Sequence, residues 1–178
     1  MIHLDIGGMC AGARWVPSPH CDERPEGEQI SLVVIHNISL PPGLFGGPWI
    51  DDFFLGRLDP QAHPFFREIE RLTVSSHFLI RRHGELVQYV PTELRAWHAG
   101  ASLWKGRERC NDFSIGIELE GADDVPFAEP QYDALIALTG ALFERYGPLD
   151  LAGHSDVAPG RKTDPGPWFD WGRYTAAL

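Results

Sequence analysis

Cysteine is scarce and unpatterned in this chain. Cys10, Cys21 and Cys110 form an odd set without a CxxC pair, which argues against a disulfide framework or a cysteine zinc knuckle and fits reduced thiols in a cytosol. Cations are also in deficit: 15 Lys and Arg stand against 25 Asp and Glu, giving a formal net charge of -10 and a pI near 5.1. Nonspecific nucleic-acid binding needs clustered Lys and Arg to displace counterions from phosphates. No nucleic-acid partner is therefore expected, and any anionic ligand must meet a local basic patch. Long apolar runs are missing as well. No segment reaches transmembrane length, and the opening MIHLDIGGMCAGARW has neither a basic region nor a continuous apolar stretch. The expectation is a cytoplasmic protein without a membrane partner, acting as a monomer.

What is present suffices for one ordinary domain. At 178 residues and 43% hydrophobic, such a chain buries roughly 70% of the surface exposed by its unfolded form. The expected organisation is a single domain over 1–178, with residues 1–29 as an N-terminal arm packed on it; the Pro-rich 17–29 leads into the first strand. ISLVVIH, 30–36, reads as a strand buried on both faces, and the Pro/Gly-dense stretch after it as a functional loop. Apolar residues recur at helical spacing in 49–58 and 64–72, and HFLIRR and ELVQYV flank His83-Gly84 as a hairpin. In FSIGIELEG, Phe113, Ile115, Ile117 and Leu119 alternate with Ser114, Gly116, Glu118 and Glu120, so one face is core and the other can line a site. A helix is predicted over 129–146, ended by Gly147-Pro148, and LDLAGH is a short strand delivering His154. This order predicts an α/β (α+β) fold: a central mixed sheet flanked by helices.

The chemistry concentrates in GHSDVAPGRKTDPGP, 153–167, which puts His154, Lys162 and Asp164 in one punctuated loop. An imidazole and a carboxylate there can grip one divalent metal, and a catalytic site needs a third protein ligand and an open position. His36, closing the apolar run of the first strand, is the first candidate. Two imidazoles and a carboxylate suit zinc. Spacing alone is a weak signal, because His36 is far from its partners in sequence and only a fold can bring them together.

Five segments together carry a resemblance: VVIHNISLPPGLFGGPW, VSSHFLIRRHGELVQYVP, RAWHAG, GRERCNDFSIGIELEG and GHSDVAPGRKTDPGPWFDW. They resemble the cytoplasmic N-acetyl-anhydromuramoyl-L-alanine amidases of Gram-negative bacteria, zinc amidases that share a fold with phage lysozyme-amidases and peptidoglycan-recognition proteins. The resemblance implies Zn2+ held by His36, His154 and Asp164. Many recognition-type relatives carry a cysteine where this chain has Asp164, and an all-N/O site should hold zinc less tightly than one with a thiolate.

Amide hydrolysis needs a metal that acidifies water and polarises the carbonyl, together with a general base. Alternation leaves Glu118 and Glu120 equally placed as that base, and the resemblance favours Glu118. It also implies that Lys162 stabilises the oxyanion, that Arg109 pairs with a peptide carboxylate, that Trp97 lies against the sugar, and that Asn37 hydrogen-bonds the stem peptide. Lys105, Arg107 and Arg109 together concentrate three positive charges in an acidic chain. His77 and His98 are read as structural hydrogen-bonders or pocket lining. The implied substrate is a soluble muropeptide, cut between the lactyl group of anhydro-N-acetylmuramic acid and L-alanine during wall recycling, with an effect on β-lactamase induction where that pathway exists. Two alternatives stand beside it: a periplasmic or phage amidase lysing polymeric peptidoglycan, and a noncatalytic peptidoglycan-binding module.

Overall fold

The computed structural model describes residues 2–178. Its frame is a six-stranded mixed sheet made of β1 (Arg14–Trp15), β2 (Leu32–Ile38), β3 (Phe78–Ile80), β4 (Leu86–Gln88), β5 (Ser114–Glu120) and β6 (Asp150–Gly153), in the order β6-β2-β5-β3-β4-β1. The β6-β2, β2-β5, β5-β3 and β4-β1 pairs are parallel, and the β3-β4 hairpin is antiparallel. Parallel strands need cover on both faces, and β2 and β5 have the composition for it: every residue of β5 is buried, Glu118 and Glu120 included. The face carrying Glu118 is therefore not the solvated face of a half-exposed strand.

Alternation decides what covers each side. Val33, Ile35, Ile115, Ile117 and Leu119 pack on Tyr132, Leu135, Leu138 and Leu142 of α3 (Glu129–Tyr146), where each buried aliphatic side chain contributes roughly 1.5–3 kcal/mol. α3 stops at Gly147, whose φ of 80° suits a glycine at the C-cap. Its first turn is moored to the sheet by Gln131 Nε2, which donates to the Ile80 and Glu120 carbonyls at 3.1 and 3.0 Å. On the opposite face Leu79 and Val87 meet Ile50, Phe53 and Phe54 of α1 (Trp49–Phe54) and Phe66 of α2 (Phe66–Ile69). A separate group, Leu32, Val34, Ala99, Phe113, Ala152 and Val157, covers the other end of that face with α4 (His154–Val157). The site lies between these two apolar groups. A final helix, α5 (Trp171–Ala176), brings Tyr174 to the α3 core.

Several expectations need correction. The first strand of the sheet is Arg14–Trp15, not the segment at 30–36, and Cys21–Glu23 within the arm pairs antiparallel with Leu94–Ala96. These two- and three-residue strands are too short to carry a hydrophobic period. Both helices after β2 are also shorter than the apolar spacing predicts. α1 ends at Phe54, before Gly56 with φ of 69°, and α2 is a single turn.

Candidate metal centre and cleft

The carboxyl ends of β2, β5 and β6 point the same way, which is where open α/β sheets collect their ligands. His36 is the fifth residue of β2, and its register partner on β5 is Glu118. His154 follows β6 directly, as the first residue of α4. The loop after α4 folds back through bonds from the Arg161 and Lys162 amides to the Ala158 carbonyl, both 3.1 Å, and from the Ser155 amide to the Asp164 carbonyl at 2.9 Å. Asp164 thereby returns to His154. Gly153 allows the close approach: a Cβ there would lie 2.7 Å from the Pro165 ring.

These three residues converge. His36 Nδ1 is 2.9 Å from His154 Nδ1 and 3.1 Å from Asp164 Oδ2, and His154 Nδ1 is 3.0 Å from the same oxygen. Neighbouring ligands around a tetrahedral ion with bonds of ~2.0–2.1 Å stand roughly 3.3 Å apart, so the spacing and donor set fit a small divalent ion. Burial pushes the His36 imidazole down to about 4, with the Asp164 hydrogen bond opposing. It is a neutral ring with a lone pair to offer. Burial works to raise the Asp164 carboxyl, but the adjacent His154 and His36 rings outweigh it and hold the group below the usual carboxylate range.

The cluster opens into a cleft of about 360 Å³ whose lining includes Asn37, Trp97, His98, Glu118 and Lys162. Glu118 is only 8% exposed, and its Oε2 has no hydrogen-bond partner among the described residues. Burial pushes its carboxyl well up, the Asp164 charge adds to the rise, and Lys162 opposes it. Glu120 is differently employed: it accepts from the Gly46 amide at 2.6 Å, Arg81 Nη1 at 3.1 Å and the Arg82 amide at 3.2 Å. Alternation could not separate the two acids, and their neighbours do. Glu120 fastens the Pro/Gly loop to the sheet, while Glu118 keeps an oxygen free toward the cleft.

The remaining sequence candidates scatter more widely. Trp97 is half-buried, with Nε1 donating to Asp22 at 3.0 Å and its ring stacked on His20. Asn37 Nδ2 donates to Asp123 Oδ1 at 2.7 Å and the Pro165 carbonyl at 3.0 Å, bracing the residue after Asp164. Arg109 is not brought into this cleft. It lines a neighbouring cavity of about 560 Å³ with Arg161, is 69% exposed, and pairs with Asp112 at 3.1 Å. The expected basic patch is neutralised locally, Lys105 by Asp150 at 2.8 Å and Arg107 by Glu28 at 2.6 Å. Sequence reasoning missed the apolar wall of the cleft, where Phe53, Phe54, Phe65 and Ile69 line it from α1 and α2 and the loop between them. Their helical spacing reads as core, and only the fold shows the edge they leave open.

Comparison with known proteins agrees with this geometry. A family model described as N-acetylmuramoyl-L-alanine amidase matches residues 26–167. The chain is 62% identical over 169 residues to the 1,6-anhydro-N-acetylmuramyl-L-alanine amidase AmpD of Escherichia coli K12, covering 94% of this chain and 92% of that protein. A crystal structure of a selenomethionine AmpD derivative superposes with a TM-score of 0.96 at 60% identity, covering 98% of both chains. The Escherichia coli amidase AmiD, solved with the substrate anhydro-N-acetylmuramic acid-L-Ala-D-gamma-Glu-L-Lys, is 30% identical with a TM-score of 0.62, over 99% of this chain and 65% of that one.

Proposed function

The chain belongs to the N-acetylmuramoyl-L-alanine amidase family, and we propose that it hydrolyses 1,6-anhydromuropeptides in the cytoplasm with a zinc ion held by His36, His154 and Asp164. It is an amidase, and the bond cut joins the lactyl group of 1,6-anhydro-N-acetylmuramic acid to L-alanine, a step of cell-wall recycling. The observation that carries the zinc reading is the mutual approach, within 3.1 Å, of three donors, one from β2 and two from the distant segment 153–167. When bound, such an ion acidifies a coordinated water and polarises the scissile carbonyl.

The chain's own groups do the rest. Glu118 takes the proton of the attacking water and returns it to the departing L-alanine nitrogen. Its burial and unpartnered Oε2 suit that task, since a desolvated carboxylate binds a proton more tightly. Lys162, on the rim of the cleft, places a cation where negative charge builds on the carbonyl oxygen. Trp97 offers a ring face to sugar C–H groups. Asn37, with its amide nitrogen occupied, presents its oxygen to a stem-peptide N–H. Arg109 stands beyond the cleft and would meet a carboxylate only of a stem long enough to reach it.

The test is to give the purified protein soluble anhydromuropeptide and intact sacculi in parallel, with and without chelator, and to weigh the products by mass spectrometry. Cleavage of the soluble fragment alone, abolished by chelator and restored by zinc, is expected. Efficient release from sacculi would replace this reading with action on polymeric wall, and binding without product would replace it with a recognition module.

A further inference from the structure

Both histidines of the proposed metal centre face it with Nδ1, so in the form that can ligate, the proton of each ring sits on Nε2. Each Nε2 meets a partner on the same short segment. His154 Nε2 lies 3.2 Å from the Ala99 carbonyl oxygen, and His36 Nε2 lies 2.9 Å from Nδ1 of His98. The two partners differ in kind. A carbonyl oxygen can only accept, which fixes the His154 tautomer outright. An imidazole nitrogen accepts or donates according to its own tautomer. The state of His36 is thus tied to that of His98, whose Nε2 is 3.1 Å from Ser114 Oγ.

Two proton arrangements satisfy this chain of three groups. In the first, His98 Nε2–H donates to Ser114 Oγ and His36 Nε2–H donates to His98 Nδ1, leaving the His36 Nδ1 lone pair to a cation. In the second every bond is reversed: Ser114 donates to His98, His98 donates to His36, and the hydrogen on His36 Nδ1 excludes a cation.

We propose that His98 is a positioning residue that sets the ligating tautomer of His36, and that the His98-Ala99 segment orients both metal-binding imidazoles as one unit. The inference rests on the zinc reading above. The fold has made a place for this ring. Gly116 lies beneath it on β5, where a Cβ would be 2.5 Å from His98 Cγ, so no other residue fits without expelling the imidazole. The ring meets His36 edge-on, at 5.0 Å between centroids and 88° between planes, a geometry compatible with a ring-to-ring hydrogen bond. The segment's backbone is pinned in turn. Asn111 Oδ1 accepts from the His98 and Ala99 amides at 3.1 and 2.8 Å, and Arg161 Nη2 donates to the Ala99 carbonyl at 2.6 Å. Outer partners of this kind orient the ligand ring and raise its basicity, and their loss costs roughly 10–100-fold in metal affinity.

The test compares the parent with His98→Asn and His98→Phe, with zinc affinity read by competition against a chromophoric chelator. Asparagine places a carbonyl oxygen near the position of Nδ1 and can still accept from His36; phenylalanine fills the space and cannot. His98→Phe is expected to lose roughly 10–100-fold in affinity, and His98→Asn to recover most of that loss. Equal affinity of His98→Phe and the parent, or an equal fall in both variants, overturns the proposal. A parent that takes up no zinc overturns the metal reading along with it. Should His98→Phe fail to fold, two-bond 1H–15N spectra of the zinc-loaded parent decide. His98 protonated on Nε2 and bare on Nδ1 supports the assignment, and the opposite tautomer overturns it.

Discussion

Glu118 and His36 stand side by side across the parallel pairing of β5 and β2, residue opposite residue. Paired residues of neighbouring strands send their side chains to the same face, so a buried acid and a buried imidazole share one end of one sheet face through backbone register alone. Glu118→Gln keeps the shape and removes the base. It should retain zinc in a chelator competition yet lose roughly 10²–10⁴ in kcat. Glu120→Gln should instead act on stability, because it breaks a buried pair with Arg81, a change that typically costs about 3–5 kcal/mol. Urea denaturation beside steady-state kinetics separates the two, and a reversed pattern would reassign the base.

Lys162 reaches the cleft from an exposed loop, so replacing it should leave the core untouched. Lys162→Met is expected to lower kcat by roughly 10²–10³, the usual cost of removing one oxyanion donor, while melting temperature and zinc affinity hold. Unchanged turnover would return the side chain to an ordinary surface role.

Metal removal has a readout independent of substrate. Zinc at 100 times its dissociation constant stabilises a folded state by ~2.7 kcal/mol, which for a chain of this size raises Tm by roughly 5–10 °C. Scanning calorimetry should show that rise with zinc and little with magnesium, since two imidazoles are poor ligands for so hard an ion. His36→Ala should abolish the zinc response.

A histidine behind the site gives the protein an acid-sensitive element. His77 is fully buried; its Nδ1 accepts from the Gly116 amide at 3.0 Å, and its Nε2 donates to the Leu94 carbonyl at 3.0 Å. Burial, then the charge of Arg24, pushes its pKa down to about 3. The unfolded chain, with a histidine near ~6.5, binds more protons between those values. This contribution to stability is therefore complete above pH 6.5 and is lost as pH falls toward 3. His77→Gln should flatten the decline of unfolding free energy with falling pH over that window, whatever its effect on the plateau, and an unaltered slope would remove His77 as the cause.

How far the sequence reaches depends on the physics that places each part. β5 and α3 are legible because a hydrophobic period of two is written into Ile115–Leu119 and one of 3.6 into Tyr132–Tyr146, whereas Phe113, expected on the face of Ile115, precedes the strand and joins the apolar group on the opposite face. His36 and His154 are nameable because each closes an apolar run before a Gly/Pro loop, and Asp164 because it lies in the same loop as His154. Arg14–Trp15 is not legible, since two residues carry no period. Glu118 and Glu120 cannot be told apart by alternation, because what separates them is supplied by Gly46, Arg81 and Arg82, residues remote in sequence. His98 is legible only as a hydrogen-bonder or pocket lining, and its particular partner hides for the same reason. Its partner is His36 and its seat is Gly116, and neither relation leaves a mark on the segment RAWHAG.

Arg24, in the N-terminal arm, donates to the carbonyls of Thr92, Asn111, Asp112 and Ser114 at 2.9–3.3 Å. Two of these residues, Asn111 and Ser114, are the same ones that seat the His98-Ala99 segment. The family match begins at residue 26, so a minimal version cut to that boundary would keep every proposed ligand and discard the bolt beneath them. The arm belongs to the foundations of the proposed metal centre, and shortening the chain there would remove support from beneath it as well as length.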